Sequence, residues 1–281
     1  MISGRRGRLP APGGNAQFDR LTLIGMVHLP PLPGSPRSNQ SIETVVNRAR
    51  SEAEFLAGAG FDAVIVENFG DAPFAAESVE PETVAAMAVV VDHVVRAVDI
   101  PVGVNVLRND AVSALGVAAV TGASFIRVNV LSGVLATDQG MVAGRAHELL
   151  RRRTAISAKV KIAADVHVKH AVPISQPNIV LAAEETAHRA GADALIVSGT
   201  GTGAATDLAT ARRVAEAVPD RPLWIGSGVT ARTVRDYLEV ADAVIVGTSL
   251  KRGNRTMMPL DARKVRAFVS AAKASRRARK K

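Results

Sequence analysis

The chain has 281 residues, 47% of them hydrophobic, with a formal net charge of +9 and no cysteine. This length fits one domain with a sizeable core, and the lack of cysteine excludes disulfides, thiolate nucleophiles and cysteine-ligated metals. No run of about 18 apolar residues is present, so a membrane-spanning helix is not expected. The basic N-terminus lacks the apolar stretch of a secretory signal. We therefore expect a cytoplasmic protein, with peripheral membrane contact as the alternative.

The positive charge is confined to the two ends of the chain. The first 16 residues carry three arginines and no acid, and the last nine carry six basic residues and no acid. Residues 17–272 are consequently balanced. We expect a flexible basic arm over 1–16, a folded body over 17–270 and a disordered basic tail over 271–281, with weak attraction of that tail to anionic membranes. With nine aromatic residues in all, no specific nucleic-acid partner is expected.

Eight short apolar runs, each ending in polar residues and each followed by a helix-like stretch, recur along the chain. Strands that alternate with helices predict parallel pairing, and eight such units predict a single (β/α)8 barrel of the TIM type. Active sites of that fold lie at the carboxyl ends of the strands. The runs are residues 23–28, 63–68, 102–107, 125–130, 160–167, 194–199, 223–228 and 243–248.

Helix boundaries are marked by capping residues. Ser41 is expected to cap a helix that ends at Gly60, and Pro81 is expected in the first turn of the next. Asn109 or Asp110 is the expected cap of a third helix. Residues 131–140 and 169–178 have no helical pattern, and we expect loops there.

The last two predicted strands end in glycine-rich segments that resemble the phosphate loops of ribulose-phosphate-binding barrels. Such loops bind phosphate through backbone N–H groups and a helix N-terminus, and glycine lets the anion approach the backbone. The hydroxyls of these segments would add donors, whereas the alternative is that the glycines only form tight turns. The predicted phosphate-binding residues are Gly226, Ser227, Gly228, Gly247, Thr248 and Ser249.

The fifth predicted strand carries the main candidates for chemistry. Strand alternation would place Asp165, His167 and Lys169 on one face, where a carboxylate, an imidazole and an amine suit general acid–base catalysis. Glu67 is the fourth catalytic candidate. Lys169 as a Schiff-base nucleophile is an alternative, and so is a purely structural ion-paired triad. No cofactor is expected, although Asp165, His167, His170, Glu67 and His28 could together bind a divalent metal.

Polar residues at the remaining strand ends are the expected substrate-binding groups. Arginine at a barrel mouth suits a bidentate grip on a carboxylate or phosphate. These candidates are His28, Asn68, Asn105, Arg108, Asn109, Asp110, Arg127, Asn129 and Ser198.

Several of these segments together resemble the BtpA family. The resemblance lies in a proline-rich loop after His28, a loop after Glu67 and Asn68, and the polar ends of the next strands. It covers about residues 21–270 and implies a barrel of the ribulose-phosphate-binding superfamily, but no reaction. The matching segments are residues 24–36, 66–74, 103–110, 125–130, 137–140, 164–170, 224–230 and 244–251.

Two classes of function are consistent with these features. The first is an enzyme that acts on a small phosphorylated metabolite, such as a sugar phosphate or a nucleotide-like compound, by isomerisation, aldol-type cleavage or N-glycosyl chemistry. The second, which the family resemblance suggests, is a non-catalytic assembly or stabilisation factor for a membrane complex such as photosystem I. Charged residues inside the barrel mouth favour the enzyme, because their burial is unfavourable unless they are paired or used. We also expect a homo-oligomer.

Overall fold

A computed structural model describes Phe18 and residues 22–279, with side chains up to residue 274. The expected basic arm over residues 1–16 and the last two residues of the expected tail lie outside this part of the chain.

The described residues contain eleven strands, of which eight form a closed parallel barrel. The barrel order around the ring is β1, β2, β3, β4, β7, β9, β10 and β11, with β11 pairing back onto β1. Each of the eight apolar runs contains one barrel strand, so the predicted (β/α)8 fold is confirmed. The strands are β1 (Leu23–His28), β2 (Ala63–Glu67), β3 (Val102–Asn105), β4 (Phe125–Val128), β5 (Val134–Thr137), β6 (Gly140–Ala143), β7 (Lys161–Val166), β8 (Ala171–Pro173), β9 (Ala194–Val197), β10 (Leu223–Ile225) and β11 (Ala243–Val246).

The helices follow the barrel strands and begin where the capping residues predict. The Ser41 side chain accepts a hydrogen bond from the Thr44 N–H, and Gly60 ends the first helix with φ 101°. Asp110, rather than Asn109, caps the third by accepting from the Ser113 N–H. The helices are α1 (Ile42–Ala59), α2 (Pro81–Ala97), α3 (Ala111–Thr121), α4 (Ala146–Ala155), α5 (Ile179–Glu184), α6 (Leu208–Ala217), α7 (Val234–Leu238) and α8 (Ala262–Arg279).

Two apolar layers hold the barrel together. The larger lies between the sheet and the helices, and the smaller fills the barrel interior. At the N-terminal end of the barrel the rings of Phe18, Phe125 and Trp224 pack edge to face, with centroids 4.7–5.7 Å apart. Gly103 makes room for them, because a Cβ there would lie 2.3 Å from the Phe125 ring. The interior is therefore filled below the strand ends, and the mouth at the other end is open.

A small antiparallel sheet forms where loops were expected. Strand β5 pairs with β6 on one side and β8 on the other, so the expectation of irregular structure over 131–140 and 169–178 is wrong. Leu135 and Val142 are buried under this sheet against Val130 and Val168. The pairing of β5 with β8 joins segments more than 30 residues apart, and this is why local pattern missed it.

The C-terminal segment also differs from the expectation of a disordered tail from residue 271. Helix α8 continues through it to Arg279, and Ala272 is fully buried in the main core. The physical reason is that Val265, Phe268, Val269 and Ala272 on one face of the helix pack into the main core. No described helix combines the length and apolar character needed to cross a bilayer.

Candidate functional site

A cavity of about 360 Å³ opens at the carboxyl end of the barrel strands. All six predicted phosphate-binding residues line it, together with two of the four catalytic candidates, Glu67 and Lys169, and with His28 and Arg127. Met26 and Ile245 supply apolar lining. The structure thus brings the predicted phosphate segments and part of the predicted catalytic set to one cavity.

The loops after β10 and β11 line this cavity and contain backbone N–H groups without an acceptor in the described part of the chain. Among the described residues no acceptor is found for the backbone N–H groups of Gly228, Val229, Thr248 and Ser249. No long helix begins at either loop, however, since a three-residue 3-10 turn follows β11 and the five-residue helix α7 begins beyond the β10 loop. The expected contribution of a helix N-terminus is therefore not found.

The side-chain hydroxyls of these loops bind the protein itself. Ser227 Oγ donates to the Ala204 carbonyl (3.0 Å) and accepts from the Gly199 N–H (2.9 Å). Ser249 Oγ donates to the Val229 carbonyl (2.7 Å). The hydroxyl protons of these two serines are thus already used within the protein. Thr248 Oγ1 lies 3.0 Å from Thr256 Oγ1, and either hydroxyl can be the donor of that bond.

Two glycines of these loops are required by close contacts. Gly228 has φ 73°, and a Cβ there would lie 2.3 Å from the Ala204 carbonyl oxygen. A Cβ on Gly247 would lie 2.5 Å from His28 Cε1. These glycines therefore permit close packing within the loops, and both also line the cavity, so the structure is compatible with tight turns and with an anion site.

Arg127 is held at the mouth by a buried carboxylate. Its Nε and Nη2 donate to Asp165 Oδ2 (2.8 Å) and Oδ1 (2.9 Å). Asn129 Nδ2 and Ser198 Oγ also donate to Asp165, at 3.2 and 3.1 Å. Burial acts to lower the pKa of Arg127, but the charge and hydrogen bonds of Asp165, together with the charge of Glu67, outweigh it, and the net shift is upward. Asp165, a predicted catalytic residue, thus accepts four hydrogen bonds from the protein and holds the charged Arg127 side chain in place.

Glu67 lies between His28 and Asn105, its register partners on the neighbouring strands. His28 Nε2 is 3.7 Å from Glu67 Oε1. Burial raises the pKa of Glu67 above 4.5, against the opposing charges of Lys169 and Arg127. Burial, with the charges of Lys251 and Lys169, lowers the pKa of His28 well below 6.5. The imidazole is therefore neutral near pH 7, and the carboxyl retains its proton to higher pH than usual.

Two polar atoms beside Glu67 have no hydrogen-bond partner. His28 Nδ1 and Asn105 Oδ1 are both buried, and within the described part of the chain neither finds a donor or acceptor. Asn105 Nδ2 donates to the Arg127 carbonyl (3.1 Å) and to Asn129 Oδ1 (3.2 Å), so the amide orientation is fixed. Unsatisfied buried polar atoms are uncommon away from functional sites.

Lys169 enters the cavity from the segment that follows β7. Its backbone carbonyl accepts from Arg108 Nη2 (2.6 Å), and the next residue, His170, donates its N–H to the Thr200 carbonyl (3.1 Å). Burial lowers the pKa of Lys169, and the charge of Arg127 lowers it further, while Glu67 and Asp165 act in the opposite direction.

The predicted alternation of Asp165, His167 and Lys169 along one face is wrong. Strand β7 ends at Val166, and His167 has φ 53°, which reverses the direction of its side chain. His167 Nε2 lies 2.7 Å from the Gln176 carbonyl oxygen and lines a separate, smaller cavity. His167 is therefore not brought to the main cavity.

The possible metal ligands are not gathered either. In the described part of the chain no group of three or more His, Asp or Glu side chains is placed to hold a metal ion. His170, which also has positive φ, instead accepts a hydrogen bond at Nε2 from the Thr202 N–H (3.0 Å).

Several predicted substrate-binding residues do not line the cavity and instead form hydrogen bonds to the backbone of the surrounding loops. Asn68 Oδ1 accepts from the Leu107 N–H (2.7 Å). Asn109 bonds both the N–H and the carbonyl of Val130, at 2.8 and 2.9 Å. Asp110 caps α3 and also accepts from the Val79 N–H (2.9 Å). These contacts fix the loops after β2 and β3.

Eight residues of the cavity lining were not among the predicted site residues. Four of them are apolar, and the other four are Thr202, Gly203, Thr230 and Asn254. The glycine-rich segment that contains Thr202 and Gly203 was a visible signal. Asn254 has φ 53° in the loop after β11, and its place in the cavity depends on tertiary packing.

Comparison with known proteins gives a consistent match. The BtpA family matches residues 19–274. The chain is 47% identical over 249 residues to the photosystem I biogenesis protein BtpA of Synechocystis sp., covering 89% of this chain and 87% of that protein. It is 46% identical over 244 residues to an uncharacterised protein of Pyrococcus horikoshii, covering 86% and 92%.

Solved structures resemble the chain in fold. Tryptophan synthase from M. tuberculosis superposes with a TM-score of 0.56 at 18% identity, covering 92% of this chain and 93% of that one. Phosphoribosyl anthranilate isomerase from Thermus thermophilus gives 0.54 at 11% identity, covering 90% and 99%. At these identities the likeness concerns the barrel alone.

Proposed function

The chain belongs to the BtpA family, and we propose that it is an enzyme that converts a small phosphorylated metabolite by proton transfer at the barrel mouth. The observation that carries this proposal is the composition of one cavity. Unpartnered backbone N–H donors of two loops and the side chains of Glu67, Lys169 and Arg127 all line it.

The loops after β10 and β11 are the proposed phosphate subsite. Backbone N–H groups without an internal acceptor favour an anion, and the Arg127 guanidinium adds a fixed positive charge nearby. An Arg127 Nη2 atom lies 3.4 Å from where a Cβ of Gly226 would be, so this charge borders the loop itself.

Glu67 and Lys169 are the proposed proton-transfer groups. Burial shifts the pKa of the carboxyl upward and that of the amine downward, which brings each closer to the range in which acid–base groups exchange protons at neutral pH. Arg127 would stabilise negative charge that develops on the substrate. Isomerisation, aldol-type cleavage and N-glycosyl chemistry all use such a set.

A second candidate function follows from the printed name of the Synechocystis relative, which assigns that protein to photosystem I biogenesis. A non-catalytic assembly factor would have no use for buried charges that face a cavity, and burying them is unfavourable. We therefore place this function second.

The proposal is tested by screening matched pairs of metabolites, each with and without its phosphate, by thermal shift. Hydrogen bonds to charged groups contribute about 1.5–3 kcal/mol each, so each ligand should bind at least about tenfold more tightly with its phosphate. Compounds that bind are then incubated with the protein and with Glu67→Gln, and conversion is followed by phosphorus NMR. No preference for phosphorylated compounds, or equal conversion by both proteins, would contradict the proposal.

A further inference from the structure

We propose that the substrate is a phosphorylated aldehyde or ketone and that Lys169 Nζ forms a covalent imine with its carbonyl carbon. This inference rests on the proposed function, because it places the substrate's phosphate at the loops after β10 and β11. It adds a substrate class and a covalent intermediate that proton transfer alone does not require.

The first argument is the pairing of the lysines. Lys251 is fully buried, and its Nζ lies 2.5 Å from Glu52 Oε2. Lys161, at the opposite end of β7, lies 3.1 Å from Asp193 Oδ1. In contrast, no carboxylate oxygen of the described residues lies within 4.0 Å of Lys169 Nζ. The Lys169 side chain lines the cavity. Its amine is therefore available to a ligand.

The second argument is the fixed backbone from which Lys169 projects. Arg108 holds the carbonyl of Lys169, and Thr200 holds the N–H of the following residue. Both contacts are made outside regular structure, in a segment between β7 and β8. A fixed backbone limits the region of the cavity that the Lys169 amine can reach, which favours attack on a carbonyl bound there.

The third argument is the electrostatic environment. The charge of Arg127 acts on the pKa of Lys169 in the same direction as burial. Glu67 and Asp165 act against them, but the net shift favours the uncharged amine. An uncharged lysine amine is the nucleophilic form, and neighbouring cations and desolvation are the usual means of producing it.

The step conserves atoms and electrons. The lone pair of Lys169 Nζ attacks the carbonyl carbon, and the C=O π electrons move to oxygen to give a carbinolamine after proton transfer from nitrogen to oxygen. Glu67, whose pKa burial raises, donates its proton to the hydroxyl, and water leaves as the nitrogen lone pair forms the C=N bond. Loss of the remaining N–H proton, or its retention, gives the neutral imine or the iminium ion.

The experiment is reductive trapping with borohydride, which converts an imine into a stable secondary amine. The wild-type chain is incubated with dihydroxyacetone phosphate, ribose 5-phosphate and other phosphorylated aldehydes and ketones of three to six carbons, and then digested for mass spectrometry. We expect an adduct of the reduced substrate on Lys169, its loss in Lys169→Arg, and its retention in the matched control Lys161→Arg. Unphosphorylated dihydroxyacetone should label Lys169 far less.

Failure of the imine and failure of the phosphate site are distinguishable by a parallel thermal-shift measurement on Lys169→Arg. Phosphorylated carbonyl compounds that bind but give no Lys169 adduct overturn the imine and leave the proposed function standing. Absence of binding by any phosphorylated compound overturns both. Labelling of Lys161 and Lys169 to the same extent shows unselective chemistry and also overturns the inference.

Discussion

Arg127 and Asp165 form a two-point ion pair in the barrel mouth, with Nε–Oδ2 and Nη2–Oδ1 distances of 2.8 and 2.9 Å. The two side chains come from adjacent strands, β4 and β7, and both are almost completely buried. Both carboxylate oxygens of Asp165 accept hydrogen bonds from protein donors. Asp165 therefore acts on a ligand only indirectly, by positioning Arg127.

The first prediction concerns this pair. Asp165→Asn leaves the guanidinium buried without its counter-charge, and such losses are strongly destabilising, by about 3–5 kcal/mol. Asp92→Asn is the matched control, because the Arg96–Asp92 pair is exposed on α2 and such pairs contribute about 0–1 kcal/mol. Urea unfolding of both variants gives the comparison. Equal stability losses would show that the mouth pair is solvated.

The second prediction concerns Glu67. As a positioned proton-transfer group, it should contribute about 10²–10⁴-fold to turnover, so Glu67→Gln should lose activity by that factor while it remains folded. Steady-state rates on any substrate found by the screen, with circular dichroism as the folding control, check this. Full activity of the variant would remove Glu67 from the mechanism.

The third prediction is the pH dependence that Glu67 confers on stability. Its pKa is raised on folding above 4.5, so the folded state binds the proton more tightly than the unfolded state. The contribution of Glu67 to the free energy of unfolding therefore increases as pH falls through its folded pKa, and is complete below 4.5. The wild-type minus Glu67→Gln difference, measured by urea unfolding across pH 4–8 (roughly the range of such shifts), should rise towards acid. A difference independent of pH would contradict it.

The fourth prediction concerns the phosphate loops. Gly228→Ala forces a Cβ onto a residue with φ 73° and against the Ala204 carbonyl, which should cost about 1–3 kcal/mol and abolish the preference for phosphorylated ligands. Gly116→Ala is the control. A Cβ at Gly116 meets nothing within 4 Å in the middle of α3, so this change should stabilise by about 0.5–1 kcal/mol. Retained phosphate preference in Gly228→Ala would move the anion site elsewhere.

The fifth prediction concerns the hydrogen bond from the Thr202 N–H to His170 Nε2. It requires an unprotonated Nε2, and burial with the charges of Lys169 and Arg108 lowers the pKa of His170 below 6.5. The bond should persist at pH 6.5 and be lost as pH falls through that lowered value. The hydrogen-exchange protection factor of the Thr202 amide should then fall, whereas that of the Gly226 amide, bonded to the Val197 carbonyl, should not. Parallel loss at both amides would indicate general unfolding.

The barrel was predictable from sequence because the apolar composition of each run by itself indicates a buried strand. The direction of a side chain beyond a strand end was not predictable. His167 departs from strand alternation because its φ is positive, and the local sequence pattern does not encode this. Likewise, the polar character of Asp165 and Arg127 was visible, but their mutual pairing depends on the register of β4 against β7. The same holds for the pairing of β5 with β8.

The glycine-rich segments of the proposed phosphate site were recognisable in the sequence because glycine carries two signals at once, conformation and close approach. A Cβ at Gly228 would lie 2.3 Å from the Ala204 carbonyl oxygen, and one at Gly247 would lie 2.5 Å from His28 Cε1, so either change would force a neighbour to shift. What sequence could not give was the fate of the adjacent hydroxyls, because Ser227 and Ser249 bind carbonyls of other loops.

The three-ring contact at the N-terminal end of the barrel gives the protein an intrinsic optical reporter. Trp224 is the single tryptophan of the chain, fully buried between Phe18 and Phe125, and its Nε1 has no hydrogen-bond partner among the described residues. Its fluorescence should therefore be emitted at short wavelength and shift to the red when water reaches the N-terminal end of the barrel, here called the barrel floor. Because this floor lies at the opposite end of the strands from the ligand cavity, a spectral change on ligand addition would report motion transmitted along the whole barrel.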